Sequence, residues 1–153
     1  MTAITERDRQ GGAVAGLDPG RSKCGLVRTD PHRRRIEQAL VQPPAETLRT
    51  LRAWASDGLS VVVLGNGTGH RRWRDQLQPL LTVAVVEERG STLAARERYW
   101  RIEPARGWRR LLPAGLRQPP RDWDDVVAQL LLEGWLGREL PRADGAFRSG
   151  LAP

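Results

Sequence analysis

The sequence predicts one α/β domain built on a mixed five-stranded sheet, in which a three-stranded antiparallel meander adjoins two parallel strands and helices flank the sheet. Short apolar runs separated by turn residues occupy the first third of the chain. Apolar runs then alternate with segments of helical periodicity, and the length of 153 residues suits a single hydrophobic core. The strands of the second part should therefore be parallel and joined by right-handed crossovers.

Three apolar segments predict the meander. Residues 13–17 form a short run that stops at the Asp-Pro-Gly turn, a second run covers residues 24–27, and a third covers residues 36–41. The residues before this region carry charges but no periodic apolar positions. We therefore expect a disordered tail at residues 1–11 and a folded domain over residues 12–140.

The next segments alternate between helix and strand. A helix is expected around residues 48–55, a strand at 61–64, a helix marked by Trp73 and Leu77, and a strand at 82–86. The run at 61–64 is apolar without alternation, which indicates a strand covered on both faces. A helix over residues 91–101, an irregular connection over 104–121, a helix over 123–139 and a flexible tail over 141–153 complete the prediction.

The charge of the chain favours a polyanionic partner. The net charge is +7, and Lys23 is the only lysine among 25 Lys and Arg residues. Arginine forms forked contacts with phosphate and stacks on bases, although a genome biased toward arginine would give the same count. The lone Cys24 excludes an internal disulfide, and no apolar run reaches membrane-spanning length. We expect a cytoplasmic protein that does not engage a membrane.

Acidic residues follow the first and last strands and begin the final helix. Asp18 ends the first run, Glu87 and Glu88 follow the last strand, and Asp124 and Asp125 lie at the start of the helix. The carboxyl ends of parallel strands meet at one edge of a sheet, so these side chains are candidates for a site that holds Mg²⁺ or Mn²⁺. Each also has a structural explanation, as a turn residue, a helix cap or a solvated strand end.

Three motifs resemble one nuclease family. The segment Gly-Leu-Asp-Pro-Gly-Arg-Ser-Lys-Cys-Gly at 16–25 resembles the opening strand-turn-strand of YqgF-type (RuvX) nucleases, relatives of the RuvC Holliday-junction resolvases. Residues 87–92 resemble their acidic-acidic-Arg-x-Ser/Thr-Thr segment, with Glu87 where Asp is usual and Gly90 where Leu is usual. Asp124 and the apolar pairs after it resemble their carboxy-terminal helix, with Val127 at a position that is usually small.

This resemblance implies an RNase H-like fold and a function. Asp18, Glu88 and Asp124 would be the catalytic, metal-binding carboxylates of a nuclease. The family is associated with ribosomal RNA precursor processing and, by analogy with RuvC, with Holliday junctions. Structured RNA and branched DNA therefore remain alternative substrates, and the chain would act as a monomer or a homodimer.

Basic, polar and aromatic residues near these motifs predict contacts with nucleic acid. The glycine-rich loop at 65–69 lies between a strand and a helix, where backbone N–H groups bind phosphate. Arginines interspersed with tryptophans suit distorted or single-stranded nucleic acid, although most of these tryptophans have core spacing. The candidate contacts are Lys23, Asn66, Thr68, Arg71, Arg72, Arg74, Arg89, Trp108, Arg109 and Arg110.

Two other functions remain open at this stage. The chain could be a nucleic-acid-binding domain that keeps the fold without cleaving. It could also be a nucleotide-binding fragment of the actin-like ATPase superfamily, whose members open with a strand and an acidic turn. The length of 153 residues leaves no room for the duplicated domain of that superfamily, which disfavours the second alternative.

Overall fold

The structure is a computed structural model that describes residues 11–88 and 91–151, without the side chains of residues 91 and 92. The expected disordered tail, apart from Gly11, and the expected contact Arg89 lie outside these residues. Six strands form one sheet in the order β5-β4-β1-β2-β3-β6. They are β1 Val14–Asp18, β2 Cys24–Thr29, β3 Ile36–Gln42, β4 Val61–Gly65, β5 Thr82–Val86 and β6 Phe147–Ser149.

The strand directions match the predicted arrangement. Strand β2 is antiparallel to both β1 and β3, while β4 is parallel to β1 and β5 is parallel to β4. An antiparallel meander continued by two parallel strands on the side of β1 is the RNase H-like arrangement. The predicted fold class is therefore confirmed.

Helices cover both faces of the sheet. They are α1 Pro44–Ser56, α2 His70–Leu77, α3 Ser91–Ile102 and α4 Asp124–Leu136. Because side chains alternate along a strand, Ala15 and Leu17 of β1 join the core beneath α1 and α2, while Val14 joins the core beneath α4. A third cluster, which contains Ala95, Tyr99 and Val126, packs α3 against α4. Within the residues described, no helix combines the length and the apolar character needed to cross a membrane.

Two glycines allow α4 to lie against the backbone of the sheet. A Cβ atom on Gly25 would lie 1.8 Å from the carbonyl oxygen of Asp124, and one on Gly16 would lie 2.4 Å from that of Ala128. Real Cβ contacts are never this short, so any side chain at either position would displace the helix. Gly25 pairs with Asp18 across the hairpin, and the first residue of α4 therefore lies next to the end of β1.

The sequence prediction of five strands is corrected to six. Phe147–Ser149 pairs in parallel with β3, and Arg142 forms an isolated bridge with Ile36. The segment that we predicted to be a flexible tail from residue 141 thus supplies an edge strand. Three residues carry too little apolar periodicity to predict a strand, and the contacts that hold this one are with residues far away in the sequence.

Buried ion pairs fasten the carboxy-terminal segment to the helices. The fully buried carboxylate of Asp125 lies 2.8 Å from Arg121 Nη1 and 2.8 Å from Arg142 Nη1. The guanidinium of Arg121 also stacks 3.6 Å from the ring centroid of Phe147. Removing one member of a buried ion pair leaves a charge that neither water nor a partner stabilises.

A second buried carboxylate, that of Glu133, pairs with Arg98. Arg98 donates two hydrogen bonds of 2.9 Å to the carboxylate of Glu133, which also accepts a bond of 2.6 Å from the backbone N–H of Leu140. The pair joins α3 to α4 and fixes the point where the chain leaves α4 toward β6.

Truncation after Leu140 should therefore destabilise the protein. It removes β6 and Arg142, and we expect the free energy of unfolding to fall by about 3 kcal/mol because Asp125 loses one of its two cations in a buried setting. Urea unfolding followed by tryptophan fluorescence measures this change. Truncation after Gly150 is the control and should have little effect, whereas equal stability of the two truncated chains would contradict the assignment of β6.

Candidate active site

The side chain of Glu88 crosses the carboxyl end of β4 to reach Asp18. Asp18 is the last residue of β1, Glu88 lies two residues beyond β5, and β4 separates these strands. A Cβ atom on Gly65 would lie 2.1 Å from Glu88 Oε1, and one on Gly67 would lie 2.8 Å from Oε2. The glycines of this loop thus leave the space that the carboxylate of Glu88 occupies.

Asn66 holds the backbone of the same residue. The Oδ1 atom of Asn66 accepts a hydrogen bond of 3.1 Å from the N–H of Glu88. We predicted Asn66 as a contact for nucleic acid, and the structure gives it a positioning contact within the site. An exposed side chain that is already bonded in this way keeps its amide nitrogen available at the surface.

Asp124 reaches the site from the amino end of α4. Its Oδ2 atom is buried without a hydrogen-bond donor in the part of the chain that the structure describes, and it lies 3.7 Å from Lys23 Nζ. Lys23 also forms a close ion pair with Asp122. The single lysine of the protein therefore divides its charge between two acidic residues at the mouth of the site.

The negative charges of Glu88 and Asp124 both act on the carboxylate of Asp18. The pKa of Asp18 is raised to about 7, first by burial, then by the negative charges of Glu88 and Asp124, and finally by a hydrogen bond with Glu88. Burial also raises the pKa of Asp124, while Lys23 opposes that shift. Acidic residues that face each other in this way destabilise the ionised state unless a cation joins them.

The site does not form a complete metal-coordinating set. Over residues 11–88 and 91–151, no group of three or more His, Cys, Asp and Glu side chains is assembled that could hold a metal ion. Asp18 and Glu88 form a close pair, whereas Asp124 is engaged by Lys23. The donors are nevertheless all oxygen atoms, and Asp124 Oδ2 accepts no hydrogen bond from the described residues. This is the donor chemistry that Mg²⁺ and Mn²⁺ prefer.

The residues expected to contact nucleic acid on the loop and α2 differ in accessibility. Thr68, Arg71 and Arg72 are exposed. Arg74 is partly buried, and its guanidinium lies 3.3 Å from the carboxylate of the neighbouring Asp75. The structure thus leaves the first three side chains more available to a ligand than Arg74.

The connection between α3 and α4 contains two short 3₁₀ helices, Gly107–Leu111 and Ala114–Leu116. Trp108 is 64% exposed, and the guanidinium of Arg109 lies 4.9 Å from its ring centroid. Arg110 is exposed as well. An exposed tryptophan with an adjacent arginine offers a stacking surface, which is the role that the sequence predicts for Trp108.

The same connection is held by arginine contacts with backbone carbonyls. Arg117 Nε donates to the carbonyl of Arg109 at 3.0 Å and to that of Leu112 at 2.9 Å, and Arg96 of α3 donates to the carbonyl of Arg117 at 3.3 Å. This connection contacts the site at its end, through the pair of Asp122 with Lys23.

The sequence did not reveal that the neighbours Asp124 and Asp125 lie in different environments. Asp125 is fully buried against Arg121 and Arg142, so its role is structural. The spacing of Arg121 and Asp125 by four residues was a signal for such a pair. The contribution of Arg142 had no comparable signal, since it depends on the path of the chain after α4.

Comparisons with known proteins leave the family open. No protein-family model matches the chain, and no curated protein matches it. Among solved structures, the chain is similar to T. thermophilus RuvC in complex with a Holliday junction substrate, with 14% identity, a TM-score of 0.41, and coverage of 85% of this chain and 99% of that chain. It is also similar to the human cytomegalovirus terminase nuclease domain, Mn soaked, with 14% identity, a TM-score of 0.38, and coverage of 86% of each chain. At this level of similarity, neither structure decides the function.

The raised pKa of Asp18 predicts a pH-dependent effect of Asp18→Asn on stability. Because folding raises the pKa from 3.8 to about 7, ionised Asp18 destabilises the metal-free protein, and the penalty grows as the pH rises between these values. Below about pH 3 the residue is protonated in both states and the penalty is absent. The variant should be more stable than the wild type by roughly 1 to 3 kcal/mol at about pH 8 and nearly equal at about pH 3.

Urea unfolding in EDTA at the two pH values measures this difference. A variant that is less stable than the wild type at both would show that Asp18 acts as a turn residue, whose carboxylate supports the Asp-Pro-Gly turn.

Proposed function

We propose that the chain is a divalent-metal-dependent endonuclease of the YqgF/RuvX type that hydrolyses phosphodiester bonds of structured RNA or branched DNA. The observation that carries this proposal is the position of Asp18, which accepts the electrostatic influence of Glu88 and Asp124 from two other elements of the fold and shares a hydrogen bond with Glu88. A purely structural role would be served better by pairing each carboxylate with a cation, as happens at Asp125. At Asp18, the neighbours are two further acids.

Asp18, Glu88 and Asp124 would hold Mg²⁺ or Mn²⁺. A bound divalent ion activates water and neutralises the charge that develops on a phosphodiester during hydrolysis. The protein contributes the positions of the donors: the glycine-rich loop and Asn66 hold Glu88, and the contact of Gly25 with α4 holds the backbone of Asp124. For Asp124 to bind a cation it would leave Lys23, whose ammonium would then face the substrate phosphates.

Basic residues of the loop after β4, of α2 and of the connection between α3 and α4 would bind the sugar-phosphate backbone. Thr68, Arg71 and Arg72 are exposed on the loop and on α2, and Arg109 and Arg110 are carried by the first 3₁₀ helix. Arg74 would contribute through long-range charge, and Arg89, which lies outside the described residues, remains a candidate contact from the sequence alone. Contacts of this kind position the nucleic acid without reading its sequence.

A non-catalytic nucleic-acid-binding domain is the second candidate function. The contact between Lys23 and Asp124 favours it, because a lysine beside a carboxylate can replace a metal ion as the neutralising charge. The two candidates share the basic surface and differ in cleavage alone.

Asp18→Asn and Asp124→Asn should each reduce cleavage by at least about 100-fold, since both substitutions remove charge where the transition state is neutralised. The assay compares a four-way DNA junction with a ribosomal precursor RNA hairpin, in Mg²⁺ and in Mn²⁺. Asp144→Asn is the matched control, because Asp144 is exposed in the segment that leads to β6. Cleavage at the wild-type rate by Asp18→Asn would refute the proposed site, and a wild type that binds without cleaving would support the second candidate.

Binding should weaken steeply with salt, because each neutralised phosphate releases condensed counterions. We expect the affinity to fall at least tenfold between about 50 and 200 mM salt, and the double variant Arg71→Ala/Arg72→Ala to lower the slope by about two. The control carries Arg49→Ala and Arg52→Ala on exposed positions of α1. Fluorescence anisotropy over a salt series measures both slopes, and identical slopes would argue against the α2 surface.

Trp108→Ala should weaken binding to junctions and unpaired strands by about 1 to 3 kcal/mol and leave plain duplex binding nearly unchanged, which is the usual effect of losing one stacked base. The control Leu111→Ala removes a side chain that is 87% exposed on the same 3₁₀ helix. Anisotropy measures affinity and a thermal melt measures stability. Loss of melting temperature with unchanged substrate preference would make Trp108 a structural residue.

A further inference from the structure

A groove of about 520 Å³ opens beside the candidate active site. Its walls come from the turn between β1 and β2, the first turns of α1, and the loop that leads from β4 into α2. The volume lies in the range of pockets that bind small organic groups, roughly 300 to 1,000 Å³. Cation binding by the carboxylates and phosphate binding by the exposed arginines do not require a groove with this shape.

The lining of the groove combines two kinds of chemistry. The start of α1 and the face of α2 provide an apolar surface, and arginine and uncharged polar side chains stand around it. Among the residues that the structure describes, none that lines the groove is acidic. The apolar part consists of Pro44, Ala45, Leu48 and Trp73, and the side chains of the polar part belong to Arg21, Thr68, Arg72 and Gln76.

A nucleotide matches this lining better than other common ligands do. A nucleobase is a flat group with two largely apolar faces and polar edges, and its phosphate carries the charge that Arg21 and Arg72 would bind. Amide and hydroxyl groups, such as those of Gln76 and Thr68, form hydrogen bonds with base edges. An entirely apolar ligand would leave both guanidinium groups without a partner, and an inorganic anion would make no use of the apolar surface.

The groove lies on the same edge of the sheet as the three carboxylates. Gly20, which lines it, comes two residues after Asp18. Thr68, which also lines it, follows Gly67, whose backbone lies against the carboxylate of Glu88. A strand whose phosphate lies against a cation bound by the carboxylates would therefore place an adjacent nucleotide at the mouth of the groove.

We propose that this groove receives one unpaired nucleotide of the substrate strand, next to the phosphodiester that is cut. The inference rests on the proposed function and adds a determinant of substrate choice to it. The base lies against Leu48 and Trp73, and the adjoining phosphate binds Arg21 and Arg72. A base that is paired and stacked inside a duplex cannot enter without paying the cost of unstacking, so the groove favours substrates that already contain an unpaired nucleotide.

Ala45→Trp tests the proposal by filling the groove from its rim. Ala45 is exposed at the start of α1, so the substitution leaves the core intact, and Ala53→Trp adds the same side chain at an exposed position of α1 outside the groove. Anisotropy with the full-length protein in EDTA compares a duplex that carries a one-nucleotide bulge with the fully paired duplex. The wild type and Ala53→Trp should prefer the bulged duplex by about tenfold, and Ala45→Trp should bind both duplexes equally.

Arg21→Ala provides an independent variant that removes a charge without adding volume, with Arg52→Ala as its control on the exposed face of α1. It should reduce the preference for the bulged duplex in the same direction. A wild type without any preference, or an Ala45→Trp protein that keeps it, would overturn the proposal. Because binding is measured without metal, failure of the groove is distinguishable from failure of the nuclease function, which the cleavage assay reports separately.

Discussion

The placement of the candidate site depends on the backbone contact between α4 and the hairpin of β1 and β2. Gly16 and Gly25 allow the helix to approach so closely that a single methyl group at either position would overlap a carbonyl oxygen of α4. Helices that pack through larger side chains lie farther from a sheet. With that distance, Asp124 would not reach the end of β1, and the electrostatic influence of Asp124 on Asp18 would weaken. Gly25, which pairs with Asp18 across the hairpin, thus allows Asp124 to lie close enough to influence Asp18.

The electrostatic repulsion among the acidic residues of the site is offset by ion pairs that stabilise α4. Two carboxylates of α4 are buried and paired with arginines: Glu133 with Arg98, and Asp125 with Arg121 and Arg142. These pairs hold α4 between α3 and the carboxy-terminal segment and so keep its amino end in place. Asp124 and Asp125 are adjacent in the chain but differ in environment: Asp125 is neutralised by two arginines, whereas Asp124 faces the site. One turn of helix therefore carries a structural acid and a candidate catalytic acid side by side.

The order of the strands could be predicted because each of the first five is a short apolar run that ends at turn or acidic residues. The positions of Asp18 and Glu88 at one edge follow from this order, since both come at the carboxyl ends of parallel strands. Strand β6 could not be predicted, because its three residues contain one apolar side chain, Phe147, and its position depends on Arg142 and Arg121.

The contact of Lys23 with Asp122 and Asp124 was also beyond prediction. It joins a flexible side chain of the β1–β2 turn to the start of α4, and neither spacing nor periodicity reports on the conformation of such a side chain. The groove beside the site could not be predicted either, because three segments that are distant in the sequence form its walls.

Binding of Mn²⁺ to the full-length protein, followed by calorimetry with the wild type, Asp18→Asn, Asp124→Asn and the exposed-site control Asp144→Asn, tests the central claim most directly. If Asp18, Glu88 and Asp124 hold the ion together, the wild type and Asp144→Asn should bind Mn²⁺ with similar affinity, and each of the two site variants should bind it at least about tenfold more weakly. Equal binding by all four proteins, or no binding by the wild type, would contradict the assignment of a carboxylate metal site to this edge of the sheet.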